Sequence, residues 1–203
     1  KFKFGKRNLL VTFHSTTLEN STASSQIDEL LSSLKNLKGT KLIFTLTNSD
    51  TGGRIINTKI KEFVAENPST RKWFVSMGQV NYLSALQFVD GVVGNSSSGI
   101  SEAPTFKIGT VNIGDRQKGR IRSDSVIDCS PDYLSITDSI FKIYNKKFQN
   151  TLKKTTNPYG DGNASSEIVK ILTENKIPFE TKKKFYDLWF IYLLKNNSSR
   201  NPW

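Results

Sequence analysis

Short apolar runs alternate along this chain with longer stretches whose apolar residues recur every three to four positions. The runs at 8–13, 41–46, 72–76, 91–93 and 110–113 have strand length, and each ends in a polar or Gly-containing loop. Between them Ile27, Leu30, Leu31, Leu34 and Leu37 share helical spacing, as do Ile55, Ile56, Ile60 and Val64, and then Tyr82, Leu83, Leu86 and Val89. Two more helices are predicted over 132–148 and 164–175, separated by the turn-rich Asn-Pro-Tyr-Gly-Asp-Gly-Asn at 157–163. The rhythm predicts an α/β fold, a parallel sheet with helices on both faces whose strands open their carboxyl ends along one edge.

A chain of 203 residues can bury one sizeable core. The expected organisation is one domain over 1–180 and a C-terminal helix or tail over 181–203. After Lys184 the run Phe-Tyr-Asp-Leu-Trp-Phe-Ile-Tyr-Leu-Leu is too apolar for a purely exposed tail. It either covers the domain's own core or docks on something else. The single cysteine, Cys129, excludes an internal disulfide framework and points to a reducing, cytoplasmic setting. No segment has the roughly 18 consecutive apolar residues of a membrane span, so no membrane association is expected.

Charge complicates the picture. With 29 Lys and Arg against 18 Asp and Glu the chain carries a formal +11, which invites a nucleic-acid reading. Many of the lysines, at 35, 38, 146, 147 and 182–184, fall in helix-like stretches and read as solvated faces. No aromatic-bearing RNA-binding signature, zinc spacing or basic helix with heptads accompanies them, so no nucleic-acid partner is expected.

In open parallel sheets ligands bind where strands end and loops converge. His14, the chain's one histidine, follows the first predicted strand, where an imidazole can donate to a phosphate, assist proton transfer, or simply be structural. Asn48 opens the loop Asn-Ser-Asp-Thr-Gly-Gly after the second, and Met77-Gly78 follows the third. The densest signal is Gly-Asn-Ser-Ser-Ser-Gly-Ile-Ser-Glu-Ala-Pro at 94–104, leading from a strand into an expected helix. Its small residues let backbone N–H groups approach a phosphate, with the hydroxyls of Ser96 and Ser97 as further donors; an ordinary Ser-rich cap is the alternative. Glu102 can accept from a ribose diol or merely favour the helix dipole. Arg116, in Arg-Gln-Lys-Gly-Arg at 116–120 with Arg122 beyond it, offers guanidinium groups suited to phosphate or to plain surface.

Together, Val-Thr-Phe-His at 11–14, the loops at 48–53 and 94–104, Asn-Ile-Gly-Asp-Arg-Gln-Lys-Gly-Arg at 112–120 and the stretch 157–163 resemble the hydrolysing UDP-N-acetylglucosamine 2-epimerases over residues 8–180. Two departures set the chain apart from the related non-hydrolysing enzymes. His14 is followed by Ser-Thr-Thr-Leu-Glu rather than Arg-Arg-Glu-Asn, and the phosphate loop reads Asn-Ser-Ser-Ser-Gly rather than Asp-Ser-Gly-Gly. The resemblance implies a Rossmann-like domain that is the C-terminal half of a two-domain, glycosyltransferase-B-like enzyme. It implies elimination of UDP from a UDP-sugar to a glycal, then addition of water to give the free 2-epimer, with no cofactor and no metal.

By motif position, Ser96 and Ser97 resemble diphosphate ligands and Glu102 a ribose ligand. Arg116 and Asn48 resemble further UDP contacts, the backbone near Met77 lies toward the uracil, and His14 reaches the diphosphate or assists its departure. In the family the catalytic carboxylates come from the N-terminal domain. Because the chain opens on Lys-Phe-Lys-Phe-Gly-Lys-Arg-Asn with no initiator Met, that domain is the expected missing partner, and no turnover is expected of this chain alone. A homo-oligomer is compatible with the reading. The donor-binding domain of a UDP-sugar glycosyltransferase shares the architecture and remains open, as does a diacetylbacillosamine derivative in place of N-acetylglucosamine as the sugar.

Overall fold

In the computed structural model the described residues are 2–16, 22–48 and 52–174. Among these residues six parallel strands form one sheet: β1 (Arg7–Thr12), β2 (Thr40–Thr45), β3 (Arg71–Phe74), β4 (Gly91–Gly94), β5 (Gly109–Ile113) and β6 (Val126–Cys129). Their order is β3-β2-β1-β4-β5-β6, which reverses between β1 and β4 as it does in doubly wound nucleotide-binding sheets. The register runs Leu9↔Leu42 on one side of β1 and Leu9↔Gly91 on the other.

Alternation along the strands sorts the core into two layers. Leu9, Val11 and Phe13 face one side, packing with Ile27, Leu30 and Leu34 of α1 (Ala23–Lys35) and Ile56, Ile60 and Phe63 of α2 (Gly53–Glu66). Leu10, Ile43 and Val92 face the other, against Leu86 of α3 (Gly78–Leu86) and the neighbouring Val89 and Ala103. On the first face lie also α5 (Tyr133–Ile143), through Ile136 and Ile140, and α6 (Lys146–Lys154), through Phe148 and Leu152. The expected α/β sheet covered on both faces is present.

Three expectations are corrected. Strand β6 was not foreseen, because Val-Ile-Asp-Cys is short, carries Asp128 at its centre and lies at the sheet edge. The helix expected over 132–148 is two, since Asn145 takes an extended backbone and its side chain accepts the Lys147 N–H, capping α6 afresh. Beyond the Ser-rich loop, the helix shrinks to the single turn α4 (Ser98–Ser101) and a 3-10 turn at Ala103–Phe106. Pro104 brings no N–H to continue a helical ladder, and Lys107, at φ 55°, closes the turn in the left-handed region.

The chain divides into two compact units, Lys1–Asp161 and Gly162–Trp203. The described part of the second contains α7 (Ala164–Glu174), whose side chains, including Ile168 and Leu172, are exposed. The expected tail at 181–203, with its apolar run after Lys184, lies outside the described residues. Among the described residues no helix is long and apolar enough to cross a membrane.

Candidate functional site

The carboxyl ends of β1, β2, β3 and β4 open into a cavity of about 510 Å³. Thr12 and His14 enter it from β1, Thr45 and Asn48 from β2, Ser76 and Met77 from β3, Tyr82 from α3, and Ser96 and Glu102 from the segment after β4. Five of the seven residues singled out from sequence, His14, Asn48, Met77, Ser96 and Glu102, therefore share one cavity. It sits where strand order reverses, the place at which doubly wound sheets leave a crevice between diverging loops.

Gly94 is what lets the two strands meet there. Its φ is 138°, and a Cβ on it would overlap the Thr12 carbonyl oxygen, so only glycine lets β4 run this close to β1 at this point. His14, 9% exposed, is held on two sides. Its Nδ1 lies 2.8 Å from Thr47 Oγ1, and Thr47 is itself fixed by Asn57 of α2, whose Oδ1 accepts the Thr47 N–H at 2.9 Å. The backbone N–H of His14 donates to Asn95 Oδ1 at 2.7 Å, and Asn95 Nδ2 donates back to the His14 carbonyl at 2.8 Å.

Across the cavity, Ser98 donates its hydroxyl to the Tyr82 phenol at 2.7 Å. Burial pushes the Tyr82 pKa up and the Glu102 carboxylate adds to that, against opposing hydrogen bonds from Ser98 and Thr12. The phenol thus keeps its proton at neutral pH and remains a donor.

Ser97 and Arg116 do not line this cavity. The Ser97 carbonyl accepts from Ile100 and Ser101, starting α4. Arg116 is exposed, but its Nη1 donates to the Asn95 carbonyl at 3.0 Å, which keeps the guanidinium beside the phosphate-loop candidate. The rest of the basic stretch divides: Arg122 pairs with Asp128, while Lys118 and Arg120 face solvent. Asn157, from the fifth of the resembling stretches, donates to the Ser101 carbonyl and to Thr105 Oγ1, both at 2.8 Å, and so buttresses α4 from behind.

Sequence reasoning missed Asn95, Thr47 and Tyr82. Asn95 stood inside the Ser-rich motif without a role, and Tyr82 read as one more helix-spaced core position. Only the pairing of β1 with β4 shows what the amide does.

A larger hollow, about 720 Å³, lies at the ends of β5 and β6, lined by Gly114, Asp115, Asp128, Cys129, Ser130, Pro131, Ser135, Asp138 and Ser139. No group of three or more His, Cys, Asp or Glu placed to hold a metal occurs among the described residues.

The family model described as UDP-N-acetylglucosamine 2-epimerase matches residues 2–173. The chain belongs to that family. It is 38% identical over 193 residues to the polysialic acid biosynthesis protein P7 of Escherichia coli, covering 93% of this chain and 49% of that protein. It is also 38% identical over 191 residues to the GDP/UDP-N,N'-diacetylbacillosamine 2-epimerase (hydrolyzing) of Campylobacter jejuni, with the same shares covered. The chain thus spans about half the length of these curated relatives. Among solved structures, the UDP-GlcNAc 2-epimerase of Neisseria meningitidis bound to UDP-GlcNAc superposes with a TM-score of 0.68 at 16% identity, over 83% of this chain and 45% of that one. The Staphylococcus aureus MnaA-UDP co-structure superposes at 0.64 and 14% identity, over 83% and 46%. At these identities the superpositions speak to the fold, which this epimerase-family chain shares.

Proposed function

We propose that this chain is the UDP-binding, C-terminal half of a hydrolysing UDP-N-acetylglucosamine 2-epimerase. The observation that carries the reading is the convergence of His14, Asn48, Met77, Ser96 and Glu102 on one cavity at the switch point of the sheet. In this reading Ser96 and Ser97, with Arg116 beside them, hold the diphosphate, and Glu102 accepts from the ribose diol. Asn48 and the backbone at Met77 bound the rest of the nucleotide.

The reaction removes the sugar's C2 proton to a base, breaks the C1–O bond with departure of UDP, and then adds water to the resulting glycal. The residues here serve the leaving group. Donors fixed before the bond breaks stabilise charge as it develops on the diphosphate, which costs little reorganisation at that moment. His14, immobilised through Thr47 and Asn95, is the donor best placed to do so. The base is assigned to the other half of the enzyme, in keeping with a chain that spans about half of its relatives. A cytoplasmic site of action fits the single cysteine.

Calorimetric titration of the 203-residue chain with UDP, UMP and ATP at two salt concentrations tests the nucleotide class. Selective UDP binding is expected. Equal binding of all three, collapsing steeply with salt, would identify a nonspecific polyanion surface and sink the reading. The Campylobacter relative's name supports a second sugar, a diacetylated bacillosamine, and the product released once the companion half is supplied separates the two.

A further inference from the structure

Asn95, immediately after β4, is 1% exposed and spans the switch point in both directions. Its backbone N–H donates to the Thr12 carbonyl at 3.1 Å, extending the β1–β4 pairing by one step. Its carboxamide then brackets the backbone of a single residue, accepting from the His14 N–H at 2.7 Å and donating to the His14 carbonyl at 2.8 Å. Its own carbonyl takes two side-chain donors from the loop after β5, Arg116 Nη1 at 3.0 Å and Gln117 Nε2 at 2.8 Å.

The bracket requires an acceptor and a donor on one short side chain. Aspartate supplies only the acceptor at neutral pH, and alanine or leucine supplies neither. Without it, a buried N–H and a buried C=O of His14 lose partners in a place where water does not replace them. Asn95 does not line the cavity itself, but its chain neighbour Ser96 and its two dependants, His14 and Arg116, are the proposed diphosphate groups.

We infer that Asn95 is the positioning residue of this site, fixing His14, Ser96 and Arg116 relative to one another across the switch point. The inference rests on the nucleotide reading for its consequence, though not for its geometry. It acts through other groups, and no contact with nucleotide is assigned to it.

Because His14 is the chain's only histidine, one imidazole proton resonance reports on it directly. The full chain is compared with Asn95→Ala, Asn95→Asp and a control, Ser33→Ala. The control removes a buried hydroxyl that donates to the Glu29 and Tyr133 carbonyls, on α1 and away from the cavity. Thermal unfolding, the His14 resonance without nucleotide, and UDP affinity are measured on each. Asn95→Ala is expected to move the His14 resonance and weaken UDP at least tenfold. Asn95→Asp keeps the acceptor for the His14 N–H but turns a carboxylate oxygen toward the His14 carbonyl in place of a donor, so the resonance moves as well and UDP weakens at least tenfold. Ser33→Ala lowers Tm and moves neither of the other two.

A His14 resonance that stays put in Asn95→Ala, or moves no further than in Ser33→Ala, overturns the inference. Should Asn95→Ala fail to fold, Asn95→Asp decides: unchanged UDP affinity in that variant overturns it equally. A wild-type chain that binds no UDP counts against the nucleotide reading alone, since the unliganded His14 resonance still decides the positioning role.

Discussion

Two hollows open along the same carboxyl edge of the sheet, and the larger is the poorer candidate. The one at β5 and β6 measures about 720 Å³ against about 510 Å³ for the one at β1–β4. Yet it is lined by three carboxylates, Asp115, Asp128 and Asp138, and the nearby guanidinium of Arg122 is engaged by Asp128. Among the described residues the smaller cavity has one carboxylate, Glu102, with an imidazole, amides and hydroxyls, and it straddles the point where strand order reverses. Volume and sheet edge are common properties of doubly wound folds; the choice between the two hollows is made by charge and by the rigidity with which donors are held.

Rigidity is where the two differ most, and two glycines measure it. Gly94 ends β4 at φ 138° with the Thr12 carbonyl where a Cβ would stand, whereas Gly114, after β5, has φ 71° and open space around that position. Gly94→Ala is expected to cost more than ~3 kcal/mol, from a forced backbone shift added to an unfavourable dihedral. Gly114→Ala should cost about 1–2 kcal/mol, the dihedral penalty alone. Urea denaturation of both variants gives the comparison. Equal costs would mean that the β1–β4 seam is no stiffer than the loop after β5, and the claim of a preformed site would go with it.

Much of this was legible in the sequence because periodicity reports burial. Leu9, Val11 and Phe13 alternate with Leu10 and Thr12, and the predicted strand over 8–13 falls within one residue of β1. Helix spacing found α1 and α2 for the same reason. The pattern failed where local chemistry overrides it, at Asn145, which recaps the chain in mid-pattern, and at Pro104, which cuts a promised helix to one turn. The site was legible in part. Each of His14, Asn48 and Met77 follows a strand, so the fold alone collects them. What sequence cannot give is the direction of a side chain: Ser97 adjoins Ser96 in one motif and Arg116 stands in the next, yet both lie outside the cavity. Nor can it reveal contacts such as Asn95 to His14, 81 positions apart, or His14 to Thr47, 33 apart.

The acidic hollow has its own reporter. Burial, partly opposed by a bond from Ser139 and helped by the charges of Asp132 and Asp128, pushes the Cys129 thiol up to about 11. At pH 8, alkylation of Cys129 should run on the order of a hundredfold slower than that of an unhindered thiol, since the thiolate is the nucleophile. The sign for stability follows. The raised value favours the folded state below the unfolded thiol's pKa, and that contribution is lost as pH rises through about 11. Iodoacetamide kinetics against pH provide the check, and a rate within a few-fold of glutathione at pH 8 would show that this hollow does not disfavour anions as described.

On the other side of the comparison, Glu102→Ala should weaken UDP binding by about 1–3 kcal/mol, the usual scale for removing a charged hydrogen-bond partner. Loss of the carboxylate also removes one cause of the raised Tyr82 pKa, so the phenol should titrate lower in this variant. The two readouts are separable, by calorimetry for UDP and ultraviolet titration for the phenol. A lowered Tyr82 pKa with unchanged UDP affinity would leave Glu102 inside the cavity but remove it from the nucleotide.

The smallest expected effect is the sharpest test of whether there are two hollows or one site. Asp138 lies on α5 and lines only the larger hollow, so Asp138→Asn deletes a negative charge from the same sheet edge without touching the proposed nucleotide contacts. If the hollows are independent, the variant acts on a bound diphosphate only through solvent and at long range. At physiological ionic strength, where charges more than about 8 Å apart are largely screened, UDP affinity should then rise less than twofold. It should also rise slightly more at low salt than at high, because the effect is purely Coulombic. A tenfold change in either direction, insensitive to salt, would mean that the ligand reaches across β4 and β5 to α5 and that the two hollows together hold a larger ligand than the nucleotide alone.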